Sequence, residues 1–221
     1  MDPTVPERRF RIDDLAGELD AFLARVPDAR WDATARCFRG RDPATALRLP
    51  LLAPEPVPGS SLAEHLAHGD LAPGPHVLLL LRAGASAVGW WDGLELVRHK
   101  AFKRYVVRGT GKAQPTHLKT RGKSRYGSRL RLQNWERQLG ETSERLGEWW
   151  REFGAPSRVF VALPVRLRAE FAAAEPQPPF AFDDPEVVPV PFHVHQPDHA
   201  ELLRVHALLG AGTVALREQA D

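Results

Sequence analysis

The sequence predicts a mixed α/β protein preceded by a small α+β extension, and three observations carry that expectation. A continuous apolar run at residues 76–82, with VLLLL at its centre, suits a central strand covered on both faces. Two strand-like segments follow it, joined by Asp92-Gly93, a pair that readily takes the positive φ of a tight hairpin turn. Beyond them, segments with apolar residues at three- and four-residue steps alternate with short β-branched runs, the pattern of helices laid on a mixed sheet.

In chain order, residues 11–26 place Leu15, Leu19, Phe22, Leu23 and Val26 at helical spacing, with Asp13 and Asp14 near the start, where carboxylates favour the positive end of the helix dipole. Residues 31–50 read as a hairpin, with Gly40-Arg41-Asp42-Pro43 as turn chemistry. A proline-rich connector spans 54–59. Ser60 or Ser61 then caps a short helix to about His68, with Glu64 in its first turn. Pro73-Gly74-Pro75 marks a boundary, so the expected domains are 1–72 and 73–221. In the second, strands are expected at 76–82, 85–91 and 94–108, the three of them antiparallel, and a basic loop at 109–127. Residues 128–153 carry Leu132, Trp135, Leu139, Leu146, Trp149 and Phe153 at the spacing of one long amphipathic helix. A buried strand at 157–163, a short helix at 165–174, a late strand at 187–195 and a closing helix at 197–209 complete the reading.

Composition narrows the class of protein. With 221 residues, 43% of them apolar and 26% charged, the chain is globular rather than disordered, collagenous or coiled-coil. No run of eighteen apolar residues occurs, and the N-terminal MDPTVPERRF lacks the apolar core of a secretory signal, so a cytoplasmic protein without a membrane segment is expected. The single cysteine, Cys37, closes no internal disulfide and reads as a small buried residue.

The net charge of +2 hides a segregation. Between Arg98 and Arg131 stand twelve Lys and Arg residues and no Asp or Glu, while the remaining 187 residues hold 18 basic and 28 acidic groups. All five lysines (Lys100, Lys103, Lys112, Lys119 and Lys123) fall inside that window. Such a block is the electrostatic footprint of a polyanion site, because neutralising phosphates releases condensed counterions. The long helix adds to it. Arg129 and Arg131 lie near its start and Glu141, Glu144, Glu148 and Glu152 toward its end, an order that opposes the helix dipole by roughly 0.3–1 kcal/mol per charge. A bound anion at the helix start removes that conflict.

Inside the basic loop sits Gly111-Lys112-Ala113-Gln114. A glutamine amide is no general base, but it orients a water by donating and accepting hydrogen bonds. A glycine-rich approach lets the backbone close on a substrate.

Arg104-Tyr105-Val106-Val107-Arg108, then GTGKAQ, then a basic stretch, then Gly127-Ser128-Arg129-Leu130-Arg131 together resemble the catalytic core of the Vms-like release factors. That family is the peptidyl-tRNA hydrolase branch related to the middle domain of eukaryotic class I peptide-release factors. The close match covers about residues 98–135, and the element order over 76–209 is compatible with it. The resemblance implies an RNase H-like sheet with flanking helices, of release-factor middle-domain type, and a protein that enters the ribosomal A site to free a stalled chain. Its implied partners are the large ribosomal subunit and peptidyl-tRNA, with no cofactor and no metal; a monomer is expected. By motif matching Gln114 is the catalytic glutamine, Gly111 the glycine of G-x-x-Q and Arg104 the arginine of the RY pair. The sequence departs from the classical GGQ in carrying Lys112 and Ala113 directly before the glutamine. RNA contacts are expected from Lys112, Lys119, Arg121, Lys123, Arg125, Arg129 and Arg131, with Tyr126 as a base-stacking side chain.

Two alternatives share these residues: a tRNA 3′-end endonuclease with Arg104 as its catalytic or phosphate-clamping group, and a non-catalytic ribosome- or RNA-binding module. A two-metal nuclease is disfavoured, since the strand at 94–108 offers only Glu95 as a carboxylate. His193, His195 and His199 lack the surrounding ligands of a zinc site. Trp90, Trp91, Trp149 and Trp150 read as packing residues.

Overall fold

A computed structural model describes residues 7–42, 44–104 and 123–216, with side chains of the last stretch from residue 129 onward, and its elements fall into two units. One unit comprises the chain up to Pro73 and from His206 on, the other Gly74–Val205.

The first unit is an antiparallel sheet with two helices. Strand β1 (Glu7–Arg11) leads through a short 3₁₀ turn into α1 (Leu15–Arg25), followed by β2 (Arg30–Asp32), β3 (Cys37–Arg39), β4 (Ala46–Arg48) and α2 (Leu62–Ala67). The last strand, β10 (Ala211–Ala215), inserts between β1 and β4, giving the order β1-β10-β4-β3-β2. Phe10 pairs with Gly212, where a β-carbon would lie 2.3 Å from the Phe10 ring, so glycine is what permits the pairing. Leu15, Leu19 and Phe22 of α1 pack with Trp31, Phe38, Leu47 and Leu62 in this unit's core. Cys37 is a buried free thiol. Ser61, rather than Ser60, caps α2 in a capping box: its hydroxyl accepts from the Glu64 N–H, and the Glu64 carboxylate accepts from the Ser61 N–H.

The sequence reading gives residues 73–221 to one domain and has no strand after residue 209. The structure places β10 in the first unit. AGTVA is too short and too small in side chain to announce itself, and its pairing partners lie more than 160 residues away in the chain. The expected hairpin at 31–50 forms as β3 and β4, with β2 added on the far side of β3.

The second unit is a mixed sheet in the order β7-β6-β5-β8-β9. Strands β5 (His76–Arg82), β6 (Ala85–Asp92) and β7 (Glu95–Lys103) are antiparallel, as the Asp92-Gly93 turn requires; Gly93 takes φ 58°. Strands β8 (Arg158–Ala162) and β9 (Val187–Pro189) continue from β5 in parallel. From His76 to Leu81 every residue of β5 is buried, as a strand covered on both faces must be. The 31-residue helix α3 (Lys123–Phe153) and α4 (Val165–Ala172) lie on one face, where Trp135, Leu139, Leu146 and Trp149 meet Val77, Leu79, Val88, Trp90 and Phe171. The Trp135 indole N–H donates to Glu170 of α4 at 2.6 Å. Trp90, Trp91 and Trp149 are core residues, as expected. Helix α5 (His199–Leu209) carries the chain back into the first unit.

Two boundaries and the exposure of two leucines differ from expectation. Helix α3 begins at Lys123 rather than 128, so the basic loop gives up its last residues to the helix; Lys123 and Arg125 are good helix formers, and Gly127 in this stretch weakens the helix by only about 1 kcal/mol. Strand β9 ends at Pro189, because Pro189 and Pro191 have no N–H to give a ladder, and His193 and His195 therefore lie outside any strand. Leu132, taken as part of the apolar stripe, is 56% exposed, and Leu130 is 40% exposed. Among the described residues no helix is long and apolar enough to cross a membrane, and no cluster of three or more metal-ligating side chains occurs.

Candidate nucleic-acid interface

Strand β7 is the edge of the second unit's sheet, and most of its side chains are exposed. Its side chains project to the two faces of the sheet, and the exposed ones on the side of α3 are shared between the helix and a partner. Arg98 reaches α3 by pairing with Glu152 at 3.2 Å and lying over the Phe153 ring. Further along, Lys100 lies over the Phe102 ring at 5.9 Å.

Arg104 follows β7 directly and is held from two sides. Its N–H donates to the Gly84 carbonyl in the β5–β6 turn at 2.9 Å. Its Nη2 donates to both carboxylate oxygens of Glu141, at 2.6 and 2.5 Å, and Arg137 donates to the same carboxylate at 2.8 Å. The hydrogen bond from Arg104 is the main reason that the Glu141 carboxyl titrates below the ordinary 4.5, against the opposing effect of its partial burial.

The same stretch of α3 also fixes the β5–β6 turn. Gln138, fully buried, accepts from the Gly84 N–H at 3.0 Å and donates to the Arg82 carbonyl at 2.9 Å. Thr142 donates to the Gln138 carbonyl and shares a 2.7 Å hydrogen bond with Ser86 of β6. A row of polar side chains, Gln138, Glu141 and Thr142, thus stitches α3 to the strand ends from which the basic segment departs. Apolar periodicity does not reveal such a row. The available signal is a buried glutamine and threonine one helical turn apart, flanking a glutamate four residues after an arginine.

Between β7 and this part of α3 runs an open groove of about 480 Å³, lined by Lys100, Phe102, Lys103, Arg104, Glu141 and Arg145, with Ala101 and Glu144 completing it. Arg145 pairs with Glu148, one turn further on.

Of the residues singled out from the sequence, Arg104 lies at the groove with its guanidinium on Glu141. Arg129 is exposed and Arg131 half-buried in the second and third turns of α3. Lys123, Arg125 and Tyr126 belong to the first turn of that helix, which contains no acidic residue; their side chains lie outside the described residues. Gly111, Lys112, Gln114, Lys119 and Arg121 also lie outside the described residues. His193 and His195 are neighbours in the segment before α5, where His195 is bound to Glu201, itself paired with Arg204. Lys100, Lys103, Glu141 and Arg145 are groove residues that motif reading did not single out.

The family model described as bVLRF1, Bacteroidetes VLRF1 release factor, matches residues 76–216, which run from the start of β5 through β10. No curated protein sequence matches the chain. Among solved structures, the Vms1 mitochondrial localization core is similar with a TM-score of 0.52 at 10% identity, over 91% of this chain and 84% of that one. At that identity the likeness concerns the fold alone, a mixed α/β arrangement.

Proposed function

This chain belongs to the bVLRF1 family of release factors, and on that premise we propose that it frees nascent chains from tRNA on stalled large ribosomal subunits by hydrolysing the peptidyl-tRNA ester. The observation that carries this reading is the family match over 76–216, a span that includes Arg104, the segment Gly111-Lys112-Ala113-Gln114 and the whole basic block. In this reading the Gln114 amide orients a water. The water oxygen bonds to the ester carbonyl carbon, the bond from that carbon to the terminal ribose oxygen breaks, and a water proton ends on the ribose oxygen. The products are a peptide with a free carboxylate and a tRNA with an intact 3′ end. Gly111 lets the loop approach closely. Lys112, Lys119, Arg121, Lys123, Arg125, Arg129 and Arg131 hold RNA phosphates, and Tyr126 stacks on a base. Arg104, anchored by Glu141, supports the loop at its root. The protein acts as a cytoplasmic monomer without cofactor.

The test is release from a purified large subunit carrying peptidyl-tRNA. Gln114→Ala is expected to slow release by about 100-fold or more, the scale of losing a group that positions the reacting atoms. Undiminished release by the variant overturns the role of Gln114. The tRNA product distinguishes the chemistry: an intact 3′-CCA end marks hydrolysis, a truncated tRNA marks strand cleavage, and no product at all marks a binding module.

A further inference from the structure

We propose that the groove between β7 and α3 is a second RNA seat, which holds backbone phosphates through Lys100 and Lys103 beside the root of the basic segment. The identification of the polyanion as RNA rests on the release-factor reading above; the site itself rests on the groove.

Its volume, about 480 Å³, falls within the roughly 300–1,000 Å³ typical of ligand sites. It is open rather than enclosed, which suits a chain passing through better than a small molecule held on all sides. The charges in it are not equivalent. Arg104 is neutralised by Glu141 and Arg145 by Glu148, whereas no carboxylate among the described residues pairs with Lys100 or Lys103. Both lysines are exposed. They are also two of only five in the chain, all confined to the basic window, in a protein whose other 25 basic residues are arginine. A phosphate in the groove brings negative charge to the exposed ammonium groups of the two lysines. Phe102, half-buried between them in sequence, gives the groove an apolar wall against which a base can lie.

Lysine on an edge strand has a second use, which is to discourage sheet-to-sheet association. The two roles separate in one experiment. Full-length wild type and a Lys100→Ala/Lys103→Ala variant are titrated against fluorescently labelled deacylated tRNA over a range of salt concentrations, with sedimentation of each protein alone. If both lysines hold phosphates, the double variant binds more weakly and the slope of log affinity against log salt becomes shallower by about 1.4–1.8, the value for two lost phosphate contacts. Wild-type affinity and slope in the double variant overturn the proposal, and self-association of that variant with unchanged tRNA binding assigns the lysines to edge protection instead. Failure of the release reading shows elsewhere, as undiminished release by Gln114→Ala, so the two ideas fall to different results.

Discussion

From Trp135 to Phe153, α3 keeps Trp135, Leu139, Leu146 and Trp149 against the sheet and Gln138 and Thr142 in buried hydrogen bonds, whereas from Arg129 to Asn134 no side chain is buried. The exposed end carries Arg129, Arg131, Leu130 and Leu132; the buried end carries all of the helix's glutamates. One backbone hydrogen-bond ladder runs through both, over about 46 Å of helix. The anchored end therefore holds the exposed end in position, and the exposed Leu130 and Leu132 bury little apolar surface there.

That division predicts a graded series of effects. Trp149→Ala removes a nearly buried indole from the core and is expected to lower unfolding free energy by about 3–5 kcal/mol in urea titrations; a loss below about 1 kcal/mol would mean that the buried end is not the anchor. Gln138→Ala leaves the Gly84 N–H and the Arg82 carbonyl without their partner, at an expected cost of about 1–3 kcal/mol in the same measurement. Glu141→Gln strips Arg104 and Arg137 of their shared carboxylate and is expected to cost about 1 kcal/mol at neutral pH.

The pH dependence of that third effect has a defined sign. The folded-state carboxyl of Glu141 titrates below 4.5, so its stabilisation is fully present above that pH and is lost as pH falls further through the folded value. The stability gap between wild type and Glu141→Gln is thus expected to narrow on acidification below about pH 4.5, and a gap that widens there contradicts the pairing. Leu132→Ala, on the exposed end, is expected to change stability by no more than about 0.5 kcal/mol. A larger loss would place Leu132 in a packing contact and erase the contrast between the two ends.

Several elements were legible from residues alone because their signals are local. The VLLLL run, the Asp92-Gly93 turn and the three-and-four spacing of α3 each act within one or two turns of chain; β5 and β6 stand where those signals put them, while β7 runs over Glu95–Lys103 and α3 begins five residues before its expected start. The Ser61 capping box is legible for the same reason. Strand β1 is not: ERRFR shows one apolar residue among charges, and it becomes a strand only because β10 pairs along it. The exposure of Leu132 was hidden too, since periodicity reports which residues share a helix face but not where the sheet beneath that face ends. The Arg104–Glu141 pair joins residues 37 positions apart, on either side of the basic segment, and nothing in either neighbourhood announces it.

By itself the sequence determined the mixed α/β character, the long helix and the concentration of every lysine in one cationic window, because propensity, periodicity and charge are properties of neighbours in the chain. Tertiary structure alone decided which carboxylate neutralises Arg104, which groove lysines have no carboxylate partner among the described residues, and that the last strand completes the first sheet. Each of those depends on segments far apart in the chain being brought within a few ångströms, where hydrogen bonds and ion pairs act and where a one-dimensional pattern has no reach.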